Sequence, residues 1–324
     1  MTKFTNDMSK KKKAKLNSDG ASIESRKDEA AVQNNTCEYT DDQINAEIDE
    51  LALTPSVKKQ RIWEVDFLRG LMILFVVWDH FMWDINTLKP YNTDFFNALY
   101  QFSQSYYSVK GIRQIAQPVF VTMFVFTSGV SCSFSRSNGK RALKMTAFAC
   151  LLTAVTYAVT AVIGTNLTMN FNVIHVIALS TLLWTLIEFC WSKCVKNWQK
   201  NIFGVVMTAV TVAAIVIGGY TNFVPVESEN ALWYFLVQHA PSKSFYRFCG
   251  GDYLPFLPDF GWFLVGAFLG KVVYKERKTL FPSVNPKFVC PITFCGRKSL
   301  WVYFGSQLVM FGLLYLFSTV LKLL

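Results

Sequence analysis

The chain has 324 residues, of which 52% are hydrophobic, 16% aromatic and 17% charged, and its apolar residues fall in runs too long for the core of a soluble domain. Lysine and arginine outnumber aspartate and glutamate by 32 to 22, but the excess sits at the ends of apolar segments, which marks membrane topology and argues against nucleic acid as the partner. The eight cysteines lack CxxC or histidine spacing, so they read as reduced thiols and no metal site is expected.

Residues 1–58 read as a disordered cytoplasmic tail. A basic cluster from Lys10 to Lys15 precedes an acidic stretch from Glu24 to Glu50 that is poor in aromatics, so burial would not offset the cost of ordering it. No cleavable signal peptide is expected, because the chain opens with polar residues and lysines and no short apolar run follows them.

Residues 59–324 read as an all-α, polytopic transmembrane helix bundle. Seven spans are expected, at about 66–84, 115–134, 142–163, 171–190, 201–219, 258–274 and 299–321, each near the roughly 20 residues a helix needs to cross a bilayer. The segment Ala231–Gln238 is a candidate for an eighth, partial span, re-entrant or interfacial. The connections alternate in charge. Lys58, Lys59 and Arg61 precede the first span, Arg136, Lys140, Arg141 and Lys144 follow the second, and Lys193, Lys196 and Lys200 follow the fourth. Lys275, Arg277, Lys278, Lys287, Arg297 and Lys298 follow the sixth, while the intervening connections are poor in cations. This pattern puts the N-terminus in the cytoplasm and the C-terminus outside, and the plasma membrane is the expected location.

The first span carries the most informative residues. An ionisable group at bilayer depth costs roughly 2.5–3.5 kcal/mol on insertion scales unless it faces a bundle interior or a watery cavity. His80 lies 11 positions after Arg69, which leaves the two about 20° apart around a helix, and Asp66 and Asp84 fall within about 40° of His80. Asp66, Arg69, His80 and Asp84 therefore form one polar stripe, with Arg69 and His80 roughly 16 Å apart along the axis. Read as ordinary interfacial end charges, Asp66 and Arg69 need no further explanation. That reading explains His80 poorly.

The three histidines, His80, His175 and His239, all fall on the outer side of this topology. His239 reads as a satisfied structural residue. In the fourth span Asn172 and His175 share a face, and Glu188 reads as the partner of a neighbouring basic residue. In the last span Ser299, Tyr303, Ser306 and Gln307 share a face, with Gln307 well inside the bilayer. Gly266 and Gly270 have the small-xxx-small spacing of close helix contact. The aromatics between Tyr91 and Tyr107 read as an interfacial belt, or as platforms for sugar rings.

Arg61–Asp84 with its Asp66-Phe67-Leu68-Arg69-Gly70 core and His80, Phe124–Ser135, Phe171–Ser180, Phe260–Gly270 and Gly296–Gln307 together resemble bacterial membrane proteins related to the catalytic domain of heparan-alpha-glucosaminide N-acetyltransferase. The resemblance covers about residues 61–318. It implies an acyltransferase that takes an acyl group, acetyl above all, from cytoplasmic acyl-coenzyme A and delivers it to a sugar or glycan acceptor on the outer face. Under that resemblance His80 is the base or acyl carrier, Asp84 or Asp79 orients it, Asp66 and Arg69 bind the donor, and His175, Tyr303 and Gln307 contact acceptor or thioester. The bilayer and a second copy of the chain are the other expected partners. The chain departs from the family in two places: many relatives have a histidine where Ser306 stands, and residues 85–114 lack the histidine assigned to the lysosomal enzyme's first lumenal loop. A transporter or non-catalytic protein using the stripe as a permeation or binding path is the alternative of a different class.

Overall fold

The computed structural model describes residues 62–88, 94–108, 111–163, 168–228, 230–249, 253–276, 278–282 and 288–323. The tail expected over residues 1–58 lies outside the described residues. In chain order the helices are α1 (Trp63–Leu88), α2 (Asp94–Tyr107), α3 (Arg113–Val130), α4 (Asn138–Ile163), α5 (Val173–Lys193), α6 (Asn197–Phe223), α7 (Ala231–Leu236), α8 (Lys243–Cys249), α9 (Asp259–Val273), α10 (Cys290–Arg297) and α11 (Ser299–Leu323). A 3-10 turn, Ser131–Phe134, extends α3. No strand occurs among the described residues, and an isolated β-bridge joins Val226 and His239.

Every one of the seven expected spans is a helix, but they are not alike. Five are long and apolar enough to cross a membrane: Arg113–Phe134, Asn138–Val162, Val173–Lys193, Asn197–Phe223 and Ser299–Phe317. Helix α1 has the length, at 26 residues, but carries Glu64, Asp66, Arg69, Asp79 and Asp84. Helix α9 has the apolarity but only 15 residues, about 22 Å at 1.5 Å per residue. Within the candidate partial span, α7 has 6 residues, too few for a full crossing.

Helices α1, α3 and α9 form the centre, with α5 and α10 against them. Their shared core includes Ile73, Val125, Val176, Ile177, Phe263 and Leu264, all at most 3% exposed. Around it, α4, α6 and α11 turn large apolar side chains outward, Leu143, Val205 and Leu308 being about 70% exposed. Such a surface is unfavourable in water and suited to lipid.

Close helix approach rests on glycine. A Cβ at Gly70 of α1 would overlap the backbone carbonyl of Ile292 on α10, and one at Gly296 of α10 would overlap the carbonyl of Asp66 on α1. The contact is reciprocal, so either side chain would force the two helices apart. Gly266 and Gly270 of α9 meet Phe126, Val130 and Ser133 in the same way, the close contact their spacing predicted.

Local signals set the helix starts. At α5, the Asn172 side chain accepts from the Ile174 N–H at 3.1 Å and His175 Nδ1 accepts from the Asn172 N–H at 3.4 Å, a capping box that fixes both side chains at the helix mouth. At α1, Glu64 and Asp66 lie in the first turn, where the helix dipole favours negative charge. Glu64 also accepts from the Leu280 N–H at 2.7 Å and the Thr279 hydroxyl at 2.9 Å, tying the 278–282 segment to the start of α1.

Candidate active site

The polar stripe of α1 is divided between the two ends of the bundle. At the end where α1 starts, Arg69 donates to the Thr127 carbonyl at 3.2 Å and to the Ser131 hydroxyl, and its guanidinium lies 4.0 Å from the Asp66 carboxylate. Both side chains are about 85% buried or more, at 15% and 13% exposure. Arg69 thereby ties α1 to the point where α3 tightens into its 3-10 turn. Beside it, Glu188 accepts from Lys271 at 3.0 Å and from Asn138 Nδ2 at 2.7 Å, the basic pairing read for Glu188.

At the other end, His80 packs edge-on against Tyr303 of α11, with ring centroids 5.6 Å apart and planes at 75°. Tyr303 is 2% exposed, and its hydroxyl oxygen accepts from Asn172 Nδ2 at 3.4 Å. The Asn172 amide oxygen sits 2.9 Å from His175 Nδ1, and His175 Nε2 sits 2.9 Å from the Thr153 hydroxyl of α4. That hydroxyl donates in turn to the Met169 carbonyl at 2.9 Å. Residues from α1, α11, the mouth of α5 and α4 thus form one continuous line, His80, Tyr303, Asn172, His175 and Thr153. The imidazole at its head is half-buried and held against an aromatic ring.

The predicted residues do not all meet. His80, His175 and Tyr303 are joined, whereas Asp66 and Arg69 stand at the opposite end. Asp84 is 8% exposed one turn beyond His80, with no hydrogen bond or ion pair to His80 among the described residues. Gln307 is half-buried, one turn beyond Tyr303 on α11. The Ser306 hydroxyl donates to the Tyr303 carbonyl at 3.0 Å, so the residue standing in place of the relatives' histidine is turned to its own helix.

Asp79 does not orient His80. Its carboxylate accepts from Arg113 Nε at 2.8 Å and Nη2 at 3.3 Å, and from the Tyr106 hydroxyl at 3.0 Å. The Tyr107 hydroxyl donates to the Asp79 carbonyl at 3.0 Å, and the Arg113 guanidinium lies 4.6 Å over the Tyr107 ring. Burial and then the Asp79 carboxylate push both phenols above their ordinary range, so they stay neutral donors. This knot pins α2 and the start of α3 onto the end of α1. Two tyrosines read as interfacial belt or sugar platform belong to it. The available signal was an aspartate off the polar stripe, which needs a cation in a connection holding only Lys89, Lys110 and Arg113.

Two other polar residues also lay beyond sequence reasoning. Thr153 gives no signal among the other threonines of α4, and Asp259, 3% exposed, accepts from the Thr122 hydroxyl at 3.1 Å. His239 is the structural residue it was read as. It is 3% exposed, its Nε2 accepts from the Ser228 N–H at 2.9 Å, and its ring stacks on Phe245.

A bundle with apolar helices facing outward and a histidine-headed polar line inside is an integral membrane protein. Residues 61–308 match the family model described as heparan-alpha-glucosaminide N-acetyltransferase, catalytic, and the chain belongs to that family. It is a membrane acetyltransferase in the general sense of that family. No curated protein and no solved structure matches the chain.

Proposed function

We propose that the protein takes an acyl group, acetyl first, from acyl-coenzyme A at the cytoplasmic end, where α1 starts, and transfers it to a sugar or glycan acceptor at the outer face of the plasma membrane. The observation that carries this reading is the line from His80 through Tyr303 and Asn172 to His175, set at the end opposite the cation-rich connections. In this reading seven helices cross the bilayer, α1 with its charges turned to neighbouring segments of the chain and α9 with its short length covered by neighbours. The membrane lipid and a second copy of the chain complete the set of partners.

His80 removes the proton from an acceptor hydroxyl or amine as its oxygen or nitrogen attacks the thioester carbonyl. The new C–O or C–N bond forms, the C–S bond breaks, and the imidazolium returns the proton to the departing thiolate. Asp84 lies buried one turn away on the same helix. Tyr303 fixes the ring edge-on, and His175 and Gln307 face the acceptor. Asp66 and Arg69 form the donor end, Arg69 roughly 16 Å along α1 from His80, the length scale of a pantetheine arm.

The donor is tested by thermal stability of the purified protein. Acetyl-coenzyme A at about 100 times its Kd stabilises a binding protein by roughly 2.7 kcal/mol, so a clear rise in melting temperature is expected, and none with free acetate. No shift at any millimolar concentration contradicts the donor assignment.

Orientation is tested with single-cysteine proteins. Cys290, exposed at the start of α10, should resist a membrane-impermeant maleimide in intact cells, whereas Ser105→Cys on α2 should react. Cys249 should be silent even in detergent: it is buried, and burial pushes its thiol up to about 12, so almost none is thiolate at pH 8. Labelling of Cys290 alone reverses the topology.

A further inference from the structure

At the end where α1 starts, a cavity of about 720 Å³ opens between the 3-10 turn, the first turn of α4, the last turns of α5 and the end of α9. That volume is in the range of ligand sites, roughly 300–1,000 Å³, and large for a single anion. Arg136, Lys271 and Lys275 line it against one carboxylate, Glu188. Glu188 is already matched by Lys271 at 3.0 Å. Arg136 and Lys275 are exposed and have no acidic partner among the described residues. The wall thus presents two uncompensated cations, together with the N-terminal turn of a 26-residue helix, whose dipole adds to the positive field. The rings of Phe189 and Tyr274 supply apolar faces beside them.

Arg69 is connected to this cavity without lining it. Its acceptor Ser131 is followed in the same 3-10 turn by Cys132 and Ser133, which form part of the cavity wall. With its guanidinium turned to Thr127, Ser131 and Asp66, Arg69 braces the wall.

We infer that this cavity holds the phosphates of the donor's nucleotide end, with Arg136 and Lys275 as the phosphate ligands and Arg69 as a positioning residue behind them. The inference rests on the acyl-coenzyme A reading and moves the phosphate contacts off α1 onto the connection between the 3-10 turn and α4 and the residues just after α9. An anionic lipid headgroup presents the same phosphate chemistry, and the test separates the two.

The full chain in nanodiscs is titrated with acetyl-coenzyme A and with adenosine 3′,5′-bisphosphate, as wild type and as the double variant Arg136→Gln, Lys275→Gln. Both positions are exposed, so the melting temperature should hold. Loss of charge-assisted contacts predicts a Kd raised about tenfold or more for both probes, and a weaker dependence of Kd on salt. An unchanged Kd in the double variant overturns the inference while leaving the donor reading intact. If nucleotide affinity is unchanged but the preference for phosphatidylglycerol over phosphatidylcholine nanodiscs disappears, the cavity takes lipid headgroups and the inference is overturned. If wild type binds acetyl-coenzyme A but not adenosine 3′,5′-bisphosphate, the nucleotide end lies elsewhere. If wild type binds neither, the donor reading itself fails.

Discussion

His80→Ala is expected to lower acyl transfer by roughly 10²–10⁴-fold, the range in which a positioned proton-transfer group contributes, with acetyl-coenzyme A binding kept. Stability should change little, because the imidazole is half-buried and its one ring contact, with Tyr303, is of a kind worth about 0.5–1.5 kcal/mol. Initial rates of coenzyme A thiol release, measured beside melting temperature, separate the two effects. A variant with intact melting temperature and full turnover removes His80 from the chemistry. Tyr303→Phe keeps the ring edge against His80 and removes only the hydroxyl that accepts from Asn172, so its smaller loss gauges what the line behind His80 adds.

Gly70→Ala is expected to be the most damaging small substitution in the bundle. The added methyl would overlap the Ile292 carbonyl, and backbone on a packed helix cannot swing aside as a side chain does. Overpacking costs typically 1–3 kcal/mol and more where backbone must move, so roughly 3 kcal/mol or more is expected here. Gly296→Ala meets the Asp66 carbonyl and should behave alike. The two losses should add poorly, because both report the same α1–α10 contact. Gly312→Ala on α11 has nothing within 4 Å of its new methyl and should be neutral or slightly stabilising, since alanine suits a helix better than glycine. Thermal inactivation of the detergent-solubilised variants reads all three. Equal tolerance of Gly70→Ala and Gly312→Ala contradicts the described α1–α10 packing.

What the sequence carried and what it hid follow from range. Hydropathy is local, so every expected span became a helix, and the 3.6-residue period was enough to place Asp66, Arg69, His80 and Asp84 on α1. Asn172 and His175 were legible as a pair because a capping box needs only neighbours. The link between His80 and His175 runs through Tyr303, more than 120 residues away in the chain from either, and no local pattern reports that contact. The same holds for Asp79. Its partners arrive only when α2 folds back over the end of α1, burying Ser103 and Tyr106 against Met82 and Ile85. The 3-10 turn at Ser131–Phe134, which joins the Arg69 contact to the cavity, sits inside what hydropathy read as one uninterrupted span.

The most direct test is transfer itself. Purified protein is given acetyl-coenzyme A labelled in the acetyl group, with glucosamine as acceptor, and both labelled product and free thiol are followed in wild type and His80→Ala. Label reaching the sugar, or slow thiol release to water where glucosamine is not the true acceptor, in wild type and not in His80→Ala is the predicted result. Wild-type protein that is folded yet neither binds the ester, moves the label nor frees the thiol would contradict an acyltransferase centred on His80.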